Sequence, residues 1–275
     1  MIYLREFSPS NRKVDHPNLY PYNTLNGKFS EPIELSNITV LYGNNGCGKS
    51  TLLNIIAQKL GIFGAEEYEY GQMFIDRFVQ ESSFCMAYDE DGRQYDVPEN
   101  SRYIKSEDLL YEIKKIQQEK ALHNGYLYEA SRKGQSVEAL QNELFEDENM
   151  DTLTFKGKRI FDALKFQQEK YSNGETSLQL FEDFLQPDGI YLLDEPEVSL
   201  SLQSQLKLAD MINEMVRFFK CQFIIATHSP LMLSQLRGII YDFDQPKVRT
   251  ASWTELGNVR FMYDFFMKHK DKFEK

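Results

Sequence analysis

The stretch Gly43-Asn44-Asn45-Gly46-Cys47-Gly48-Lys49-Ser50-Thr51 constrains this chain more than any other, because it fits the phosphate-binding P-loop pattern. Before it, Asn37-Ile38-Thr39-Val40-Leu41-Tyr42 is short, apolar and rich in β-branched or aromatic types, which predicts a buried strand. After it, Leu52, Leu53, Ile56 and Leu60 share one helical face and Gly61 follows as a stop. The loop is therefore expected to join a strand end to a helix N-terminus, where unpaired N–H groups and the positive end of the helix dipole face a bound anion. Residues Asn45, Gly46, Cys47, Gly48, Lys49, Ser50 and Thr51 are expected to line the phosphates. Lys49 would reach the β and γ phosphates, and the Ser50 hydroxyl would ligate Mg²⁺. A glycine-rich turn that happens to carry Lys-Ser is the competing explanation. With glycine at about 7% of residues the minimal pattern arises by chance in roughly 1% of chains this long, and the flanking strand and helix lower that further.

At 275 residues with 41% hydrophobic content, the chain can build a proper core as one large domain or two small ones. No window approaches a membrane span, and the start, Met1-Ile2-Tyr3-Leu4-Arg5-Glu6, lacks a signal-peptide core, so a cytoplasmic protein is expected. Cys47, Cys85 and Cys221 are too far apart to suggest a metal site or a disulfide framework. A net charge of −11 argues against binding nucleic acid by bulk electrostatics, although a local basic patch would escape this measure.

Residues 68–97 are rich in Tyr, Phe, Val and Met and contain the turn-like Asp89-Glu90-Asp91-Gly92, which predicts antiparallel strands. Glu107 to Leu122 and Val137 to Phe145 read as helices, separated by Asn124-Gly125 and Ser131-Arg132-Lys133-Gly134. The acidic run Glu143 to Asp151 reads as a solvated face or loop. The last third returns to strands alternating with helices, the pattern of a sheet covered on both faces.

Ile190-Tyr191-Leu192-Leu193-Asp194-Glu195-Pro196 runs four apolar residues into two carboxylates, the form of a Walker B strand. Asp194 would hold Mg²⁺ directly or through water, and Glu195 is placed to polarise the attacking water as general base. A strand ending in an acidic turn, with Pro196 as terminator, would look the same in isolation. Tyr171-Ser172-Asn173-Gly174-Glu175-Thr176-Ser177 precedes the periodic Leu178, Leu180, Phe181, Phe184 and Leu185; Ser172 or Thr176 could cap a helix there, with Glu175 completing a capping box. Gln222-Phe223-Ile224-Ile225-Ala226-Thr227-His228-Ser229-Pro230 is a further buried strand ending in polar residues. A lone histidine in such a place is more often structural than catalytic.

Taken with the P-loop, these segments resemble the ATP-binding cassette (ABC) ATPases, in which Ser-Gly-Gly-Glu/Gln opens a helix. The resemblance implies that Ser172, Gly174 and Glu175 form the signature motif, which meets the γ-phosphate held by an opposite subunit, and that His228 is the switch histidine sensing that phosphate. Asn173 stands where the first signature glycine is usual, and Ser201, in Val198-Ser199-Leu200-Ser201, stands where the D-loop aspartate is usual. The run His16-Pro17-Asn18-Leu19-Tyr20-Pro21-Tyr22, the run Asp194 to Gln203, Phe223 to Pro230 and Val259 to Phe266 are similar to compact stand-alone bacterial ATPases labelled AAA-type but built on the cassette plan. Glu175 and Thr227-His228-Ser229-Pro230 also resemble recombination-repair and chromosome-maintenance ATPases more than transporters.

The resemblance implies an α/β P-loop fold, with a mostly parallel central sheet, an antiparallel β subdomain and a helical lobe carrying the signature motif. On the chain this gives a single domain over 1–275, with 1–65 and 186–275 as core, 66–100 as antiparallel strands and 101–185 as the helical lobe. ATP and Mg²⁺ are the implied cofactors. Tyr20 or Tyr22 could stack on adenine or could pack against the sheet. The leading functional expectation is an ATPase whose ATP-bound homodimer engages an effector protein or DNA. A transporter's nucleotide-binding subunit is the runner-up and would need a glutamine-bearing loop, for which Gln80 is the candidate. A binding-only module is disfavoured by Glu195, since binding alone needs no base.

Overall fold

The computed structural model describes residues 1–14, 16, 18–68, 71–109, 111, 173–198 and 200–274, with 173–176 described in the backbone only. In chain order the elements are β1 (Leu4–Ser8), α1 (Tyr22–Leu25), β2 (Ile33–Glu34), β3 (Ile38–Tyr42), α2 (Lys49–Leu60), α3 (Gln72–Glu81), β4 (Ser83–Met86) and β5 (Arg102–Lys105). They continue with α4 (Asn173–Phe184), β6 (Ile190–Asp194), α5 (Leu202–Phe218), β7 (Gln222–Thr227), α6 (Pro230–Gln235), β8 (Ile239–Asp242), β9 (Arg249–Thr250) and α7 (Gly257–Lys268). Two compact units result, Met1–Ser106 with Leu178–Lys275, and Glu107–Ser177.

In the first unit a six-stranded sheet has the order β5-β6-β7-β3-β8-β9, parallel throughout except for β9. Every residue of β3, β6 and β7 is buried, which is why these strands read as continuous apolar runs rather than alternating ones. Leu41, Leu192, Ile224 and Ala226 share a core cluster with Leu52, Leu53 and Ile56 of α2. The alternate residues Val40, Leu193 and Ile225 are equally buried and point to the other face. There α5, with Leu208, Ala209 and Ile212 buried, packs against β7. The register pairs Tyr42 with Thr227 and Asp194 with both Ala226 and Lys105, so the carboxyl ends of β3, β5, β6 and β7 reach one edge together. The fold is thus the expected α/β architecture with a mostly parallel central sheet, and the strand-to-helix loops lie at the edge where such sheets hold ligands.

A second, antiparallel sheet has the order β2-β1-β4. Gln222, fully buried at the start of β7, joins it to the central sheet: its Oε1 accepts from Tyr3 N (2.9 Å) and Leu4 N (2.8 Å), and its Nε2 donates to Leu4 O (2.7 Å) and Ser36 O (3.0 Å). Gln222→Leu leaves two buried backbone donors unmatched, so it is expected to destabilise this unit by about 2–4 kcal/mol. A urea titration should show a lower midpoint at unchanged slope; an unaltered midpoint would mean the bonds carry no net stability.

Three details depart from the sequence reading. Residues 72–81, expected as strand, form α3, because Ile75 and Phe78 are buried three residues apart among good helix formers and Gly71 enters at φ +83. The antiparallel sheet takes two of its strands, β1 and β2, from the segment assigned to the core, and only β4 from 66–100. Residues 102–105, assigned to the helical lobe, form β5 of the central sheet, drawn in by parallel pairing with β6. The Asp89–Gly92 turn is present, with Gly92 N donating to Asp89 O and Tyr88 bridging Gln94. Residues 106–109 and 111 are helical, but the rest of the helix expected over Glu107 to Leu122, the helix over Val137 to Phe145, the acidic run Glu143 to Asp151 and Ser172 lie outside the described residues. No helix among the described residues is long and apolar enough to cross a membrane.

Candidate functional site

β3 ends at Tyr42 and α2 begins at Lys49, so the P-loop joins strand to helix as expected. Gly48 occupies the N-cap position at φ +102, and a Cβ there would lie 2.9 Å from Thr24 Cγ2. At Gly43 a Cβ would lie 2.7 Å from Cys47 Sγ. These two glycines are therefore required by both backbone conformation and close approach. The rest of the loop is tied from outside. Asp244, just beyond β8, accepts from Asn44 N (2.8 Å) and Asn44 Nδ2 (3.0 Å), while Lys28 Nζ donates to Cys47 O. Asn45 and Gly46 are exposed and Cys47 is half-buried. No side chain caps α2, so its first-turn N–H groups are left for an anion.

Lys49 is 3% exposed; its ammonium donates to Gly43 O (2.8 Å) and Asn44 O (3.1 Å) and lies 3.9 Å from Glu195 Oε1. Ser50 Oγ donates to Asp194 Oδ1 (3.1 Å), so the two expected metal ligands meet directly. Thr51 Oγ1 accepts from Tyr20 OH (3.2 Å), which places Tyr20 beside the loop helix, with its ring edge-on to Tyr68. Tyr22 is buried, donates to Glu81 Oε2 (2.8 Å) and packs edge-on against Phe78, so it cannot also stack on a base.

Asp194 closes β6 with 8% exposure. Burial pushes its pKa up and the neighbouring Glu195 adds to this, while the hydroxyls of Ser50 and Tyr103 and the charge of Lys49 pull the other way. Tyr103 OH donates to Asp194 Oδ2 at 3.2 Å, and burial followed by that carboxylate pushes the phenol up in turn. A buried carboxylate supported mainly by neutral hydroxyls is disposed to take a cation. The described residues contain no group of three or more His, Cys, Asp or Glu fit to hold a metal unaided. Mg²⁺ is commonly bound through one or two protein ligands together with substrate phosphates. The residues present fit a nucleoside triphosphate with Mg²⁺, a cation that Ser50 and Asp194, already in contact, would hold.

Glu195 adopts the left-handed backbone region, φ +48, with its N–H donating to Ala226 O (2.9 Å). Such a conformation is costly for a side-chain-bearing residue and is typical of functional sites. Here it turns the carboxylate to within 3.6 Å of His228 Nδ1. Ser201 accepts from Ser204 N as the N-cap of α5, a helix-capping role at the position where a D-loop aspartate is usual. Ser199 lies outside the described residues. Gly174 and Glu175 sit in the first turn of α4, which begins one residue after Ser172. Gln80 is exposed near the end of α3, so it lies on a helix rather than a loop.

Sequence reasoning gave no role to Tyr103, Asp244, Lys28 or Glu197. Glu197 is the one that carried a signal, because it falls inside the acidic run after β6. The others are brought in by strand register and by segments remote in sequence.

A family model described as “AAA domain, putative AbiEii toxin, Type IV TA system” matches residues 64–234, more than half of the chain. That span contains Asp194, Glu195 and His228 and begins after the P-loop. Over 248 residues the chain is 23% identical to the ATP-binding protein Uup of Buchnera aphidicola subsp. Acyrthosiphon pisum (strain APS), covering 90% of this chain and 33% of that protein. The chain therefore spans about a third of the length of this relative. Among solved structures it is similar to the SMC head domain from Thermotoga maritima, at 13% identity and TM-score 0.40, covering 91% of this chain and 99% of that one. It is also similar to a nucleotide-free ATP-binding cassette from an ABC transporter, at 15% identity and TM-score 0.44, covering 93% and 94%.

Proposed function

The chain belongs to this AAA-domain family, and on that premise we propose that it hydrolyses ATP with Mg²⁺ and uses ATP to drive dimerisation that acts on an effector protein. The observation that carries the reading is the meeting of Lys49, Ser50, Asp194, Glu195 and His228 at the carboxyl edge of three adjacent parallel strands. Lys49 and the N–H groups at the start of α2 hold the β and γ phosphates, exchanging the loop's own carbonyls for a charged ligand. Glu195 takes the proton of the attacking water, and His228 meets the γ-phosphate. Mg²⁺, when bound by Ser50 and Asp194, supplies the charge that offsets the phosphate oxygens.

A composite site follows from the signature segment. Ser172, Gly174 and Glu175 serve a second copy's γ-phosphate rather than their own, so two chains close around two nucleotides. Protein is favoured over DNA as the partner. The net charge of −11 opposes phosphodiester binding, and α7 exposes Phe261, Phe265, Phe266 and Met267, apolar surface of the kind that associates with protein. The transporter alternative loses support because Gln80 is on a helix and Ser201 caps another.

Light scattering with and without Mg-ATP tests the proposal. The expected result is a dimer with ATP, most persistent in Glu195→Gln, and a monomer with ADP. Ser172→Arg should block dimerisation by setting bulk and charge against the partner's P-loop, with nucleotide affinity of the monomer unchanged within about threefold, less than 1 kcal/mol. A monomer in every nucleotide state at high protein concentration would remove the composite site.

A further inference from the structure

We propose that Glu197 is a positioning residue, which fixes the loop carrying His228 and so aims that ring into the phosphate site. The inference rests on the ATPase reading above. Glu197 is 6% exposed, and leaving a carboxylate in such a place is costly unless donors surround it. Its Oε1 accepts from Thr227 Oγ1 at 2.7 Å and from the peptide N–H of His228 at 3.0 Å. Thr227 Oγ1 in turn accepts from Ser229 N at 3.1 Å, so three consecutive residues hang on one carboxylate oxygen. Ser229 then donates to Gln205 Oε1 (2.7 Å), and Gln205 Nε2 donates to Leu200 O (3.2 Å), closing the chain of bonds back onto the segment that follows Glu197.

Two atoms break the pattern of a purely structural network. Glu197 Oε2 and His228 Nδ1 are both buried, and neither makes a hydrogen bond among the described residues. Buried polar atoms are rarely left so without a reason. His228 Nδ1 lies 3.6 Å from Glu197 Oε1 and 3.6 Å from Glu195 Oε1, so one edge of the ring faces both carboxylates. The opposite edge, with Nε2, is left to meet a phosphate. A carboxylate at position 197 therefore sets two things at once: the direction in which the His228 side chain leaves the backbone, through the N–H bond, and the ring edge that turns inward.

The test is a double-mutant cycle in ATP turnover using Glu197→Ala, Glu197→Gln, His228→Ala and the double variants, with Thr227→Val as a milder cut of the same network. Glu197→Ala should lower kcat by about 10–100-fold, the range for misplacing a catalytic group by roughly an ångström. KM should change less than about threefold, because the P-loop still holds the phosphates. Glu197→Gln keeps an acceptor for both bonds and should restore kcat to within about threefold of wild type. In the His228→Ala background Glu197→Ala should add nothing, whereas a structural defect would lower kcat equally in both backgrounds. Thr227→Val should lower kcat by roughly threefold to tenfold, again only when His228 is present, and decides the matter if Glu197→Ala does not fold. Additivity with His228→Ala, an unaffected Glu197→Ala, or a Glu197→Gln as poor as Glu197→Ala would each overturn the assignment. Absence of turnover in the wild type would instead overturn the ATPase reading and this role with it.

Discussion

Lys49→Ala is expected to weaken Mg-ATP binding at least 100-fold in calorimetric titration. The side chain is the one cation buried inside the P-loop, and its ammonium already sits on the carbonyl oxygens of Gly43 and Asn44. Hydrogen bonds to charged groups contribute about 1.5–3 kcal/mol each, and two phosphates lose such a bond, which sets the size of the effect at two orders of magnitude or more. The same geometry adds a secondary effect. Removing the ammonium also strips a donor from two loop carbonyls, so a modest loss of stability accompanies the loss of binding. A thermal melt of the free protein separates the two, since a folded variant with unchanged ATP affinity would remove the P-loop assignment.

The parts legible in the sequence were those whose signal is local. The P-loop announces itself by glycine spacing next to a fully apolar strand, and β6 and β7 do so because buried parallel strands need uninterrupted apolar residues. The elements that were missed depend on partners far along the chain. α3 buries only Ile75 and Phe78, too sparse a stripe to stand out from its aromatic surroundings. In β5, Tyr103 and Ile104 are flanked by Arg102 and Lys105, which looks like surface until pairing with β6 buries Lys105 beside Glu66. The support of the site is hidden for the same reason: Asp244 reaches Asn44, and Tyr103 reaches Asp194, only because strand register brings them there. Nothing in the sequence separated Tyr20 from Tyr22 as a candidate for stacking on a base, and burial of Tyr22 removes that residue from the pair.

Glu195→Gln is expected to lower ATP turnover at least 100-fold while leaving Mg-ATP affinity unchanged or higher. The carboxamide has nearly the volume of the carboxylate, and the backbone at φ +48 is held by the N–H bond to Ala226 O, which the substitution leaves intact. Folding and the approach to Lys49 and His228 are therefore preserved. What is lost is a base able to take a proton from water, a contribution of about 10²–10⁴ in rate. Affinity does not fall, because removing a negative charge beside the phosphate site also removes repulsion against the γ-phosphate. Asp194, by contrast, is buried against Ser50 and Tyr103, so its replacement by Asn should appear in Mg²⁺-dependent binding rather than in turnover alone. Phosphate release under saturating ATP, paired with calorimetry on the same preparations, distinguishes the two carboxylates. A Glu195→Gln protein that releases phosphate at the wild-type rate would transfer the catalytic role to another group, and His228, 3.6 Å away, would be the first to examine.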